Sequence, residues 1–426
     1  MAFLYINSRG NPWRKHSYSA GNTFDQCALK YKLQKIEGWK EKDNKARFLF
    51  GRAFENAVQW YHEHDGNRES TIQQFCEQWQ PHVFNKEIQY TKVEKDWATC
   101  RHIGIDWLKL HFIRQPELPI PLGGQTLFQR EVAKEVFPGD PTYGEIEDAG
   151  KLDIVAYVHP EHPLLPKLNW KPEYGPLRPI IVDIKTAGQD FPDAYGLAAY
   201  DAQLRRYSWL SGIRDVGLLW FTKKSLNVQK GSTVTLLENV GSFVAGQEVV
   251  VIFIQDEPKP KKSTKKDPNP EPEAPPIPVG TYVVTNESLV EQAEKAQGFR
   301  EGTTDLDTTN EAKERKYAWL RANATRIATT QITKQRLQFN AGYVTVESAN
   351  DAGEIAGRQI INIVNAWKRN AWPNSFGIRY PHDDRADAYF QAFVIGDEKF
   401  RDANFKKVDE ESLDELFADT ESEVEQ

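Results

Sequence analysis

An α/β core is the fold class the sequence predicts, and three observations lead to it. Helical spacing comes first along the chain, followed by three apolar strand-like runs, a further helix and another strand. Two of those runs, Ile154–Val158 and Ile180–Ile184, are β-branched and unbroken, as central strands of a covered sheet are. The same two runs adjoin Gly150-Lys151-Leu152-Asp153 and Asp183-Ile184-Lys185. A strand interior normally excludes Asp and Lys, because an unpaired buried charge costs several kcal/mol, roughly. Two carboxylates and an ammonium in that setting imply a polar site, most simply one centred on a divalent cation.

The elements follow in order. Phe24, Cys27, Leu29, Tyr31 and Leu33 suggest one helix, and Phe50, Phe54, Val58 and Tyr61 mark a longer one over Phe48–Glu63. A third helix over Trp97–Phe112 ends at a proline-rich turn. Strands are predicted at Leu127–Val136, Ala149–Val158 and Pro179–Lys185, then a helix over Ala194–Leu210. Gly217–Thr222, Thr233–Leu237 and Glu248–Ile254 read as further strands. Residues 257–280 hold eight prolines and almost nothing apolar, so they form no core. Beyond them Glu287–Gln297, Ala312–Gln338 and Ala352–Arg369 read as helices. The expected division is a helical region over 1–125, the α/β core over 126–256 and a Pro/Lys-rich linker or loop over 257–280. A mostly helical region over 281–407 then packs on the core, and an acidic tail over 408–426 stays disordered.

Composition narrows the class. With 426 residues, 39% of them hydrophobic, the chain can bury a full core as one large domain or two ordinary ones. No apolar run approaches the length of a membrane span, and the N-terminus lacks the apolar stretch of a signal peptide. Three cysteines, Cys27, Cys76 and Cys100, are odd in number and point to a reducing cytoplasm. The net charge of −7 includes −9 from the tail, leaving +2 on residues 1–407, so charge neither supports nor excludes a DNA partner. His62 and His64 do not share a helix face, which argues against zinc. Gly144–Lys151 misses the phosphate-loop spacing by one residue, so no ATP-driven helicase activity is expected in the chain.

Gln203 and Tyr207, four apart, share one helix face directly after the Asp183–Lys185 strand. Glu55 lies in Phe50-Gly51-Arg52-Ala53-Phe54-Glu55 on the early helix. The order Gly51–Glu55, Gly150–Asp153, Asp183–Lys185, Gln203–Tyr207 resembles the PD-(D/E)XK nuclease superfamily, most closely its RecB-like branch of DNA exonucleases. Ser17, Ser19, Phe24, Cys27 and Tyr31 resemble that branch's N-terminal helix, and the likeness spans about residues 17–222. It implies a restriction-endonuclease-like core, a central mixed β-sheet flanked by helices. It also implies a Mg²⁺- or Mn²⁺-dependent deoxyribonuclease acting on DNA ends in recombination or repair, of phage or bacterial origin. In that reading Asp153, Asp183, Glu55 and the Ile184 carbonyl hold the metal, and Lys185 stands beside the attacking water. Gln203 and Tyr207 position the water, the metal site or a phosphate. A recombination or helicase protein would be a partner.

Two departures stand out. Glu55 occupies a position where many relatives have His. Cys27 matches the first cysteine of the iron–sulfur site found in several RecB-like enzymes, yet no cysteine follows Cys100, so no cluster is expected. Trp372-Pro373-Asn374, ahead of Tyr380-Pro381, would take the corresponding place by packing. Plainer readings of the site stay open: strand-end hydrogen bonds for the two Asp, a snorkelling Lys185, a core Tyr207 and a surface Glu55. Two rival functions remain as well, an endonuclease on the same core or a non-catalytic DNA- or protein-binding module.

Overall fold

The computed structural model describes residues 15–42, 45–80, 88–90, 95–166, 176–192, 196–224, 228–229, 231–254, 281–323, 325–328, 331–375 and 387–407. The expected 257–280 linker, the 408–426 tail and Tyr380-Pro381 lie outside them. Among the described residues no helix is long and apolar enough to cross a membrane. The chain divides into two compact units that interleave along the sequence. The first comprises 1–104, 117–221 and 338–426, and the second 105–116 and 222–337.

The first unit begins with β1 (Lys15–Ser17), α1 (Tyr18–Gln26) and α2 (Ala28–Tyr31). The single helix expected here is broken at Cys27, whose backbone is extended; the Cys27 N–H still closes α1 by donating to the Thr23 carbonyl. Then come β2 (Trp39–Glu41), α3 (Ala46–Glu63), α4 (Arg68–Gln78) and α5 (Trp97–Arg114), whose second half enters the other unit. The sheet follows with β3 (Thr126–Glu135), β4 (Glu147–Val158) and β5 (Arg178–Ala187). After a 3₁₀ turn at Leu197–Tyr200 the chain forms α6 (Ala202–Ser211) and β6 (Asp215–Thr222). The expected helix over Ala194–Leu210 is thus shorter. Asp201 is extended and its carboxylate accepts from the Leu204 N–H, so the helix starts only after it.

Six strands form one mixed sheet in the order β1-β4-β5-β6-β12, the last being Arg336–Tyr343, with β3 paired to β4. One edge of β4 runs antiparallel to β3 from Glu147 to Ala156. The opposite edge is shared: β1 pairs in parallel with Glu147–Ala149, and β5 pairs antiparallel with Ile154–Val158. Gly150–Asp153 lie between those two ladders.

Helices cover both faces. On one, Leu152, Val155, Ile181, Val216 and Leu218 pack with Leu204 and Tyr207 of α6. On the other, Phe54 of α3 meets Phe221 of β6 edge to face, with ring centroids 4.6 Å apart. A long helix, α9 (Val346–Arg369), closes the first face. Its buried stripe Ile360, Ile363 and Val364 packs with Ala20, Tyr31 and Ile146.

The second unit carries a five-stranded antiparallel sheet, β10-β9-β8-β7-β11. Its strands are β7 (Thr233–Leu236), β8 (Glu248–Ile254), β9 (Thr281–Thr285), β10 (Thr325–Ile327) and β11 (Ile332–Thr333). Val234, Leu236, Phe243, Val249, Val251, Ile327 and Ile332 form its core. Helices α7 (Asn286–Gln297) and α8 (Asn310–Asn323) separate β9 from β10.

The helix expected over Ala312–Gln338 therefore stops at Asn323, and β10, β11 and the start of β12 (Arg336–Tyr343) follow. Lys, Arg and Gln favour helix intrinsically, but Ile332 and Thr333 are β-branched and have a waiting ladder partner in β7. α9 (Val346–Arg369), α10 (Glu398–Asn404) and β13 (Phe405–Lys407) complete the chain, and β13 pairs with β2. Cys27 is buried with Leu33, Tyr389, Ala392 and Phe405. Trp372 stacks on Tyr31 at 6.3 Å, and the Leu29 N–H donates to the Pro373 carbonyl at 3.2 Å. Trp372 and Pro373 thus pack on the N-terminal helices, while Cys27 itself is enclosed by Leu33, Tyr389, Ala392 and Phe405.

Candidate active site

The interval in β4 between its two ladders is where the polar residues converge. Ile154 pairs with Val182, so Asp153 and Asp183 fall just past the last paired residues of β4 and β5. There the Ile184 N–H donates to Asp153 Oδ2 at 3.0 Å. The carboxylate satisfies a strand amide where the two strands part, which gives an acid a structural reason to sit in an apolar run. Asp153 is half-buried and Asp183 is buried.

Asp183 lies 3.0 Å from Lys185 Nζ through Oδ2, an ionic contact outside hydrogen-bond alignment; that oxygen has no hydrogen-bond partner among the described residues. Burial pushes the Asp183 carboxyl up to about 7. Lys185 opposes that rise, and Asp153 and Asp201 add to it. Lys185 Nζ also donates to Gln203 Oε1 at 3.0 Å, and Gln203 Nε2 donates to the Tyr207 hydroxyl at 2.8 Å. The ammonium is therefore held from two sides, by a carboxylate on its own strand and by an amide whose orientation Tyr207 fixes.

Glu55 reaches the same place from α3. It is half-buried, and its carboxyl stands well above the usual carboxylate range. Burial is the first cause and repulsion from Asp153 and Asp183 the next, while Lys185 and Arg52 pull the other way. All the side chains predicted from sequence, Glu55, Asp153, Asp183, Lys185, Gln203 and Tyr207, thus meet in one site. Ile184 contributes its N–H to Asp153.

The two motif glycines differ in what they allow. A Cβ on Gly150 would stand 2.6 Å from Tyr207 Cε1, so only a glycine lets the tyrosine ring lie across β4. A Cβ on Gly51 would meet Thr186 Oγ1 at 3.5 Å, an ordinary contact.

Three features were missed by sequence reasoning. Asp201 acts electrostatically on Asp183, and Tyr18 lies near both Asp201 and Lys185. The Tyr18 hydroxyl is pushed up by burial and then by Asp201. The available signal for Asp201 was its type: an Asp directly before an apolar-periodic run is a helix N-cap. The third is a buried network behind the site. Arg206 makes a two-pronged ion pair with Asp148 and donates to Gln359 Oε1 at 2.9 Å, while Gln359 Nε2 donates to Asp25 at 2.6 Å. Burial pushes Asp148 upward and Arg206 counters it. No local pattern announces such a network.

The donor set suits a hard divalent cation. Glu55, Asp153 and Asp183 offer carboxylate oxygen; Asp153 and Asp183 raise the proton affinity of Glu55, and Asp153 that of Asp183, in a way that a cation would relieve. Among the described residues no group of three such side chains forms a ready cage. Mg²⁺ does not need one, since it keeps several waters and takes one or two carboxylates.

The family model of the PD-(D/E)XK nuclease superfamily matches residues 15–122. That span runs from β1 through α5 and includes Gly51–Glu55; the other three motifs lie beyond it. The match supports this superfamily, and the mixed sheet flanked by helices is consistent with its restriction-endonuclease-like fold. A solved structure titled "Crystal structure of SSO0001" is 13% identical and covers 48% of this chain and 71% of its own. Its TM-score of 0.17 is too low to carry an argument. No curated protein matches the chain.

Proposed function

We propose that the protein is a Mg²⁺- or Mn²⁺-dependent DNA nuclease, an exonuclease of the RecB-like kind that acts on DNA ends in recombination or repair. One observation carries the reading: three carboxylates and a lysine converge where β4 and β5 part, beside the apolar runs Ile154–Val158 and Ile180–Val182. A buried cluster of like charges is costly to a fold and suits chemistry that draws on a cation. Asp153 and Asp183 would hold that ion, helped by Glu55, and the ion when bound supplies charge neutralisation at phosphorus and an acidified water.

The chain's own groups do the rest. Lys185 presents a fixed positive charge where negative charge develops on the phosphoryl oxygens. Gln203 and Tyr207 keep its Nζ from swinging away, so little reorganisation is needed when the phosphodiester arrives. The Ile184 N–H holds the Asp153 carboxylate in place through Oδ2. A helicase or recombination protein would be its partner.

End-labelled linear DNA and covalently closed circular DNA, incubated side by side with Mg²⁺ or Mn²⁺, test the reading. Degradation of the linear substrate alone is expected, and Asp183→Ala or Lys185→Ala should abolish it without unfolding the protein. Cutting of circles would replace the exonuclease with an endonuclease. Wild-type inactivity on linear, nicked, branched and single-stranded DNA would overturn the enzyme reading and leave a binding module.

A further inference from the structure

Between β5 and α6 the chain makes a turn that is pinned on several sides and yet presents a bare aromatic ring. Gly196 is left-handed, with φ of 77°, and opens the 3₁₀ turn Leu197–Tyr200. Within the turn Ala198 is fully buried and its N–H donates to Asn340 Oδ1 of β12 at 3.0 Å. At Gly342 the same strand comes so close that a Cβ would stand 2.6 Å from the Ala199 nitrogen. Upstream, the Gln338 amide brackets the Phe191 backbone, accepting from its N–H at 2.9 Å and donating to its carbonyl at 3.1 Å. Downstream, Asp201 caps α6.

Tyr200 ends this turn and is 76% exposed, the most exposed of the large hydrophobic side chains among the described residues. Among the described residues its ring makes no hydrogen bond or aromatic contact. The next residue, Asp201, acts on the charge of Asp183, and Gln203, two further on, holds Lys185. A large ring on a backbone held by such contacts loses little entropy when something stacks on it. Every nucleobase offers a π-face, and an unpaired strand exposes that face where a duplex hides it.

We infer that Tyr200 is a positioning residue that stacks on a base of a single-stranded or frayed DNA end and so places the adjoining phosphate at the carboxylate site. The inference rests on the nuclease reading and assigns that site a substrate class, DNA with at least one unpaired base at the scissile end.

Binding and cleavage test it separately. Fluorescence anisotropy with Mg²⁺ in a Lys185→Ala background measures affinity for a short labelled thymidine strand and for the same strand carrying abasic residues. Tyr200→Ala should weaken binding of the base-bearing strand between about 5-fold and 150-fold, the range of one lost stacking contact. Tyr200→Phe and Tyr200→Trp should retain it, because they keep the ring. The abasic strand should bind the parent and all three variants alike. Unchanged affinity in Tyr200→Ala, or an equal loss on the abasic strand, would overturn the role of the ring. Failure of wild type to cleave any DNA would instead sink the nuclease reading, and the anisotropy result stands apart from it.

Discussion

Gly150→Ala is the sharpest perturbation of the site, because it adds one methyl and changes no charge. The new Cβ would lie 2.6 Å from Tyr207 Cε1, 3.0 Å from Cδ1 and 3.4 Å from Leu210 Cδ1. To regain ordinary contact the ring must give by roughly 0.8 Å. Tyr207 has little freedom to do so, being 1% exposed and packed among Leu152, Val155 and Leu204. Overpacking of this kind costs about 1–3 kcal/mol. The displacement also passes to Gln203 through the 2.8 Å hydrogen bond and from there to Lys185 Nζ. A misplacement near 1 Å at a reacting group costs on the order of 100-fold in rate.

Gly51→Ala supplies the control. Its Cβ would find Thr186 Oγ1 at 3.5 Å, and replacing a helix-interior glycine gains up to about 1 kcal/mol. Urea unfolding and steady-state cleavage of linear DNA, run on both variants, read the two effects. Gly150→Ala should lose stability and kcat with KM little changed, while Gly51→Ala should hold or gain stability. Equal behaviour of the two variants would refute the argument that Gly150 is a glycine for the sake of the Tyr207 ring.

Two further predictions concern charge. The Asp183 carboxyl is pushed up to about 7 from an ordinary 3.8, so without a divalent cation the folded state holds its proton more tightly between those values. Its contribution to stability is full below 3.8 and is lost as pH rises through about 7. In chelator, thermal melts should show Asp183→Asn overtaking wild type above that pH, and added Mg²⁺ should stabilise wild type more than the variant; parallel pH slopes would contradict this. Behind the site, Arg206→Met removes the partner of Asp148, which is fully buried, and should cost about 3–5 kcal/mol in urea unfolding. Asp148→Asn combined with Arg206→Met should recover part of that loss, and strict additivity of the two would show that the pair is not coupled.

The site was legible to the extent that its chemistry conflicted with its setting. Asp153, Asp183 and Lys185 stood out because acids and a lysine adjoin runs of Ile and Val, and the fold indeed brings them together with Glu55. Gln203 and Tyr207 were legible through their spacing, which sets both on one helix face. The reason for Gly150 was not, since it depends on where a ring from another element falls. Arg206 and Asp148 are 58 positions apart and Gln359 and Asp25 are 334 apart, so no local window holds both partners. The strands after Asn323 were hidden for a related reason. Their residues favour helix or strand only weakly, and ladder partners on β9 and β7 decide the outcome.

These hidden parts explain how the legible ones are held. α6 carries Gln203 and Tyr207 toward Lys185, and Arg206, beside Tyr207 in the chain, ties the same helix to Asp148 of β4. Asp148 lies in the stretch of β4 paired with β1, whereas Asp153 adjoins the stretch paired with β5. One helix therefore spans the interval in β4, anchored by a buried ion pair at one end and reaching the ammonium at the other. Crowding the ring with Gly150→Ala and loosening the anchor with Arg206→Met act on that one lever from opposite ends. Both should lower kcat by disturbing Lys185, although neither residue touches a phosphate. If Arg206→Met lost stability and kept full turnover, the ion pair would hold the fold alone, and the position of Lys185 would have to be set by Asp183.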